Sequence, residues 1–170
     1  MKTKSEFLSE TIVKLLQYRV EQEEFSYRIY LAMSQWLESK GYTGAAKLFK
    51  NYSDEELVHA DKAKNMLLAN GIRPNTSGLA QPKQDFLSLP DVLISALSHE
   101  KEITNQCYAL TKAAHDENNF MVVELGFWFC KEQAEELNKI QSLLDRLEAF
   151  GEEPSMLREL DEEMGDIAKA

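Results

Sequence analysis

The placement of glycine and proline constrains this chain more than any other feature. Pro74, Pro82 and Pro90 fall within 17 consecutive residues, Pro154 stands apart near the end, and glycine occurs only seven times in 170 residues. Breakers this sparse and this clustered leave stretches far longer than an ordinary strand. Val and Thr do not alternate as a half-buried strand needs. The chain is therefore expected to be all-α. One helix is expected from about Ser5, as N-cap, to Lys40, stopped by Gly41; a second runs from Thr43 to Asn70, before Gly71. A third begins at Pro90, a favoured first-turn residue, and ends near Asn118. A fourth spans Asn119 to Phe150 before Gly151, and a short amphipathic helix covers Pro154 to Ile167.

Connection lengths then set the topology. Helices one and two are tightly joined, as are three and four, so each pair is expected to be antiparallel. The segment Gly71–Leu89 is different. A helix of about 28 residues is roughly 42 Å long, and an extended segment of about 19 residues reaches roughly 60 Å. That is enough to return along the whole bundle and make helices two and three parallel. The result is a single domain over residues 1–170, a four-helix bundle with one long crossover and a short fifth helix.

Helical spacing gives each long helix a core stripe. The stripes read Ile12, Leu16, Val20, Glu23, Tyr27, Tyr30, Leu37; then Ala45, Phe49, Tyr52, Glu56, His59, Ala63, Met66; then Leu93, Leu97, Glu100, Ile103, Cys107, Leu110, Ala114; then Val122, Leu125, Phe129, Gln133, Glu136, Ile140, Leu143, Leu147. Every stripe is interrupted near its middle by a glutamate. A buried carboxylate costs several kcal/mol unless it is paired, and the stripes carry no Lys or Arg. Two divalent cations would offset four negative charges, and oxygen ligands with one imidazole suit iron or manganese, and also zinc. Glu56 and His59 are i and i+3 on one helix face, and Gln133 and Glu136 repeat that offset. Glu23 and Glu100 add one carboxylate each. A lone Glu-x-x-His carries little weight; the force lies in the whole set at mid-helix. Glu55, Glu132 and Glu135 lie next to these residues or one turn away. They read either as a solvated acidic face or as a looser third cation site.

Charge and composition narrow the function classes. With 19 Lys and Arg against 29 Asp and Glu, the net charge is −10, which disfavours nucleic acid and favours cations. The segment Met1-Lys2-Thr3-Lys4-Ser5-Glu6 lacks the apolar centre of a signal peptide. No apolar run is long enough to span a membrane. Cys107 and Cys130 make neither a disulfide framework nor a zinc motif; the default compartment is cytoplasmic.

Four segments resemble the non-haem bacterial and archaeal ferritins, over nearly the full length. They are Glu23-Glu24-Phe25-Ser26-Tyr27-Arg28-Ile29-Tyr30, Asp54-Glu55-Glu56-Leu57-Val58-His59-Ala60, His99-Glu100-Lys101, and Trp128-Phe129-Cys130-Lys131-Glu132-Gln133-Ala134-Glu135-Glu136. The resemblance implies a ferritin-like bundle that stores iron and oxidises Fe2+ with dioxygen at a dinuclear ferroxidase centre, inside a shell of 24 copies. It implies that Glu23 and His59 bind one iron, Glu56 bridges, and Glu100 and Glu136 bind the second, with Gln133 beside it. Tyr30 would hydrogen-bond near the metals. Glu55, Glu132 and Glu135 would form a third iron site. Leu57 follows Glu56 where a haem-binding relative has Met, so no haem is expected. Gly126 departs from the family pattern in the fourth helix, at a helix-propensity cost of about 1 kcal/mol, and Lys131 and Ala134 stand beside the third site. The alternative is a non-storage dinuclear iron oxidoreductase of the same superfamily.

Overall fold

The computed structural model describes residues 5–170; Met1 to Lys4 of the polar N-terminal segment lie outside it. Five helices follow in order: α1 (Glu10–Ser39), α2 (Thr43–Ala69), α3 (Leu89–Asp116), α4 (Phe120–Phe150) and α5 (Pro154–Ile167). No strand occurs among the described residues. The all-α reading holds, with one shifted boundary. Ser9, not Ser5, caps α1: its Oγ accepts from the Ile12 amide at 3.1 Å. Ser5 closes a separate turn instead, accepting from Phe7 and Leu8. Leu8, buried at the bundle end, ties that turn down; the sequence offers two serines in suitable places, and packing of Leu8 selects the later one as cap.

The turns are short where antiparallel pairing requires it. Gly41 has φ +89° between α1 and α2, a left-handed conformation open to glycine without steric cost. Asn119 caps α4 by accepting from the Val122 amide. Residues 70–88 carry no helix. Cross-helix pairs fix the directions. Gln22 meets Gln106 and Ser26 meets His99, so α1 runs antiparallel to α3 as well as to α2. Helices α2 and α3 are therefore parallel, as the crossover length predicts.

The apolar core comes in two clusters. One holds Leu37, Phe49, Leu93, Ile140, Leu143 and Met164; the other holds Ile12, Leu16, Leu67, Ile103, Leu110 and Phe129. Between them lies a polar layer at mid-bundle. Three expected core positions, Tyr27, Met66 and Leu97, are only half-buried, because Ser26, Leu67 and Ala96 take the inward places beside them. Gly126 sits against α3: a Cβ there would lie 2.4 Å from Thr111 Oγ1 and 3.0 Å from Thr111 Cα. The glycine that costs α4 helix propensity permits this close approach. No helix among the described residues is long and apolar enough to cross a membrane.

Candidate metal centre

The polar layer is built from one carboxylate per helix. Glu23 on α1, Glu56 on α2, Glu100 on α3 and Glu136 on α4 are all buried, together with His59 and Gln133. Their positions follow from the helices themselves. Each lies near the middle of its helix, and heavy apolar packing above and below holds the four faces in register.

Glu23, Glu56 and His59 converge most closely. Each offers a ligand atom within 4.8 Å of the others. His59 Nδ1 lies 3.3 Å from Glu56 Oε2 and 3.9 Å from Glu23 Oε2. The offset of three residues between Glu56 and His59 puts both on one face of α2, as the spacing requires. Trp128 abuts the His59 ring edge-on, with centroids 5.5 Å apart.

Glu100 is held from two sides. Tyr30 Oη donates to its Oε1, and Gln133 Nε2 donates to its Oε2 at 2.7 Å. Gln133 thus orients a carboxylate through its amide NH2, which is a donor and has no lone pair for a metal. Thr104 Oγ1 closes the arrangement by donating to the Glu100 carbonyl at 2.7 Å. His99, beside Glu100 in sequence, is half-buried. It pairs with Ser26 Oγ at 2.7 Å and packs edge-on against Tyr30. Burial pushes its pKa down to about 4, so the ring is neutral there.

Electrostatics show what the layer lacks. Burial, then the neighbouring Glu23, Glu100 and Glu136, push the Glu56 carboxyl well above the ordinary glutamate range. Burial likewise raises Glu100, against the hydrogen bonds from Tyr30 and Gln133. Burial raises Glu136 too, against Lys139. The Tyr30 hydroxyl is held far above its usual value by burial and by Glu100. Glu56, Glu100 and Glu136 thus resist ionising together, and bound cations would let them.

Two cations of the chain itself were not legible in the stripes. Arg19 is 1% exposed, and its Nε lies 2.7 Å from Glu23 Oε1. Lys139 Nζ lies 2.8 Å from Glu136 Oε1 and 3.6 Å from Glu55 Oε2. The expectation of stripes free of Lys and Arg is therefore corrected. Arg19 is four residues before Glu23 and shares its face. A stripe traced through apolar residues steps from Leu16 to Val20 and passes it by. Lys139 is found by the same i, i+3 rule that picks out His59.

The outer carboxylates sit apart. Glu55 and Glu135 are exposed and Glu132 is half-buried. Glu55 faces Lys139, and Glu135 lies 3.9 Å from Lys131. Among the described residues these three do not converge as Glu23, Glu56 and His59 do.

A long-crossover bundle with a buried layer of four glutamates and a histidine defines a ferritin-like carboxylate protein. The ferritin-like domain family matches residues 13–150. A probable bacterial non-heme ferritin-like protein of Haemophilus influenzae is 31% identical over 161 residues, covering 95% of this chain and 98% of its own. The bacterial non-heme ferritin of Staphylococcus aureus is 27% identical over 93% of this chain and 95% of its own. Among solved structures, the open pore ferritin of the archaeon Archaeoglobus fulgidus superposes with a TM-score of 0.90 at 26% identity, covering 93% of this chain and 97% of that one. The chain belongs to the ferritin family.

Proposed function

We propose that this protein is an iron-storage ferritin with ferroxidase activity. The observation that carries the reading is the buried layer itself: four glutamates, one from each long helix, with His59, offset among the described residues by the cations Arg19 and Lys139. A purely structural bundle would gain stability by replacing such a layer with apolar residues. Family membership gives the same direction.

Fe2+ is the substrate. Glu23 and His59 would take one ion and Glu100 and Glu136 the second, with Glu56 shared between them. Each Fe2+ gives one electron to dioxygen. Hard oxygen ligands favour Fe3+ over Fe2+ and so supply driving force. Gln133 and Tyr30 hold Glu100 in place while the charge at the centre rises. Glu55, which shares Lys139 with Glu136, together with Glu132 and Glu135 on α4, would serve as a third, looser iron position once they are drawn together by a bound ion. Leu57 beside Glu56 leaves no axial ligand for haem there, and none is proposed.

Storage requires a closed shell, and the proposed assembly is 24 copies of a single domain spanning residues 1–170, in the cytoplasm. Leu87, Ile94, Phe120 and Phe127 are exposed apolar side chains, which suits a subunit built to contact others. The test is aerobic loading with Fe2+ followed by sizing and iron determination. Hundreds of iron atoms co-eluting at the mass of a shell of 24 copies are expected. Saturation at two or three per subunit in a small assembly would overturn storage and leave the non-storage dinuclear oxidoreductase.

A further inference from the structure

Arg19 is the least expected side chain in the molecule. It lies 1% exposed, one helical turn before Glu23. Its surroundings offer few partners. Nε is 2.7 Å from Glu23 Oε1, Nη1 donates to Cys107 Sγ on α3 at 3.6 Å, and the guanidinium carbon is 5.9 Å from the Phe129 ring centroid on α4. Among the described residues Nη2 has no hydrogen-bond partner, and Nε makes no directed hydrogen bond to any acceptor. A guanidinium stays charged in any such setting, so a full positive charge is fixed in the core in contact with Glu23 and within electrostatic reach of Glu100.

The two oxygens of Glu23 consequently face different ways. Oε1 faces Arg19, and Oε2 lies 3.9 Å from His59 Nδ1, on the side where Glu56 also points. A cation held by Glu23, Glu56 and His59 would meet Oε2. Oε1 is already engaged with a charge that cannot be deprotonated, and drawing it to a metal would strand the guanidinium in an apolar pocket at large cost.

We propose that Arg19 is a positioning residue of the metal centre: it holds Glu23 as a one-oxygen ligand and, by its fixed charge, weakens the grip of the Glu23–Glu56–His59 position on divalent cations. The consequence is a site tuned to pass metal onward rather than keep it. The same charge stabilises Glu23 when the site is empty, so the metal-free fold depends on Arg19 and the loaded fold does not. This inference rests on the reading of the layer as a metal centre.

The test uses the assembled wild-type protein, Arg19→Gln and Arg19→Lys, titrated anaerobically with Zn2+ by calorimetry and with Co2+ by visible absorption. Arg19→Gln is expected to bind the first cation roughly tenfold or more tightly, because a like charge near the site is gone. Its metal-free melting temperature is expected to fall while its loaded one stays near wild type. Arg19→Lys keeps the charge and is expected to bind within a few-fold of wild type. A merely packing role would instead lower the stability of the empty and loaded forms together and leave affinity unchanged or weaker; that result overturns the proposal. A crystal structure of the Zn2+-loaded wild-type protein is the second test, independent of any variant. Glu23 bound through Oε2 alone, with Oε1 still on Arg19, is expected; two-oxygen binding overturns it. Should wild type bind neither Zn2+ nor Co2+ at this layer, the metal-centre reading itself fails, a result distinct from unchanged affinity in Arg19→Gln.

Discussion

A carboxylate in the middle of a helix bundle keeps its charge only where something offsets it. Arg19 offsets Glu23 and Lys139 offsets Glu136, Tyr30 and Gln133 donate to Glu100, and Glu56 has the His59 ring beside it. Removing one ligand should therefore spare the fold and harm the chemistry. Glu136→Ala is expected to fold and assemble, since it deletes a charge that burial disfavours, and to lose fast Fe2+ oxidation, measured by stopped-flow absorbance. Gln133→Ala should lower affinity at the Glu100–Glu136 position by about 10- to 100-fold, the usual effect of losing a group that orients a ligand, read by Zn2+ titration. The raised carboxyls also set a pH dependence. Glu56, Glu100 and Glu136 sit above the ordinary glutamate range in the folded chain, so the metal-free fold binds more protons than the unfolded chain. That stabilisation is complete below the ordinary range and is lost as pH rises through the raised values. Thermal melts of chelator-treated protein should show stability falling as pH climbs above that range. Cation binding should release protons, read as a dependence of calorimetric heat on the buffer.

At the scale of elements, register does the work that ligands rely on. The carboxylate layer exists only because four helices place their midpoints at one height, and the two apolar clusters on either side hold that height. Close backbone approaches contribute. Gly44 on α2 lies under α5, where a Cβ would fall 1.9 Å from the Asp161 carbonyl oxygen. Asp161 Oδ1 in turn accepts from the Ala45 amide at 2.8 Å. Asp161 thus anchors α5 to α2, and Glu163 on the same helix pairs with Arg146. Gly44→Ala is expected to push α5 off α2 and cost about 1–3 kcal/mol or more, seen as a lowered melting temperature and faster amide exchange across 154–167, with the metal centre and its Zn2+ stoichiometry intact. The α1 start illustrates the limit of local signals. Ser5 and Ser9 are both sound caps in sequence, and the burial of Leu8 between them decides which one begins α1.

For the whole molecule, metal and fold are linked. If the layer binds divalent cations in the folded state alone, each site adds about 2.7 kcal/mol at a hundredfold excess over its Kd. For a chain of this size that is a rise of several degrees in melting temperature. Zn2+ should produce the rise, and a chelator should reverse it. Calorimetry of the empty and loaded protein checks both directions, and unchanged melting with saturating Zn2+ would contradict the assigned centre.

Local sequence signals set the helices, their directions and which polar side chains are buried at mid-bundle. Long breaker-free stretches, a crossover with prolines in it, and glutamates interrupting apolar stripes are local signals, and periodicity converts them into faces. Glu23, Glu56, His59, Glu100, Gln133 and Glu136 are all buried as that pattern predicts, and Glu23, Glu56 and His59 converge. Only the tertiary structure decided the charge balance. Whether Arg19 turns inward or outward depends on what α3 and α4 leave open around it, and Cys107 and Phe129 leave it a buried place. Lys139 shares a helix face with Glu136, but it reaches Glu55 only because α2 and α4 lie close at that height. Likewise Gly126 looks like a weakness within its own helix and proves a contact once Thr111 is set beside it. Periodicity says which face a residue shares, and it carries no information about what stands opposite; that comes from helices distant in sequence, packed at van der Waals range.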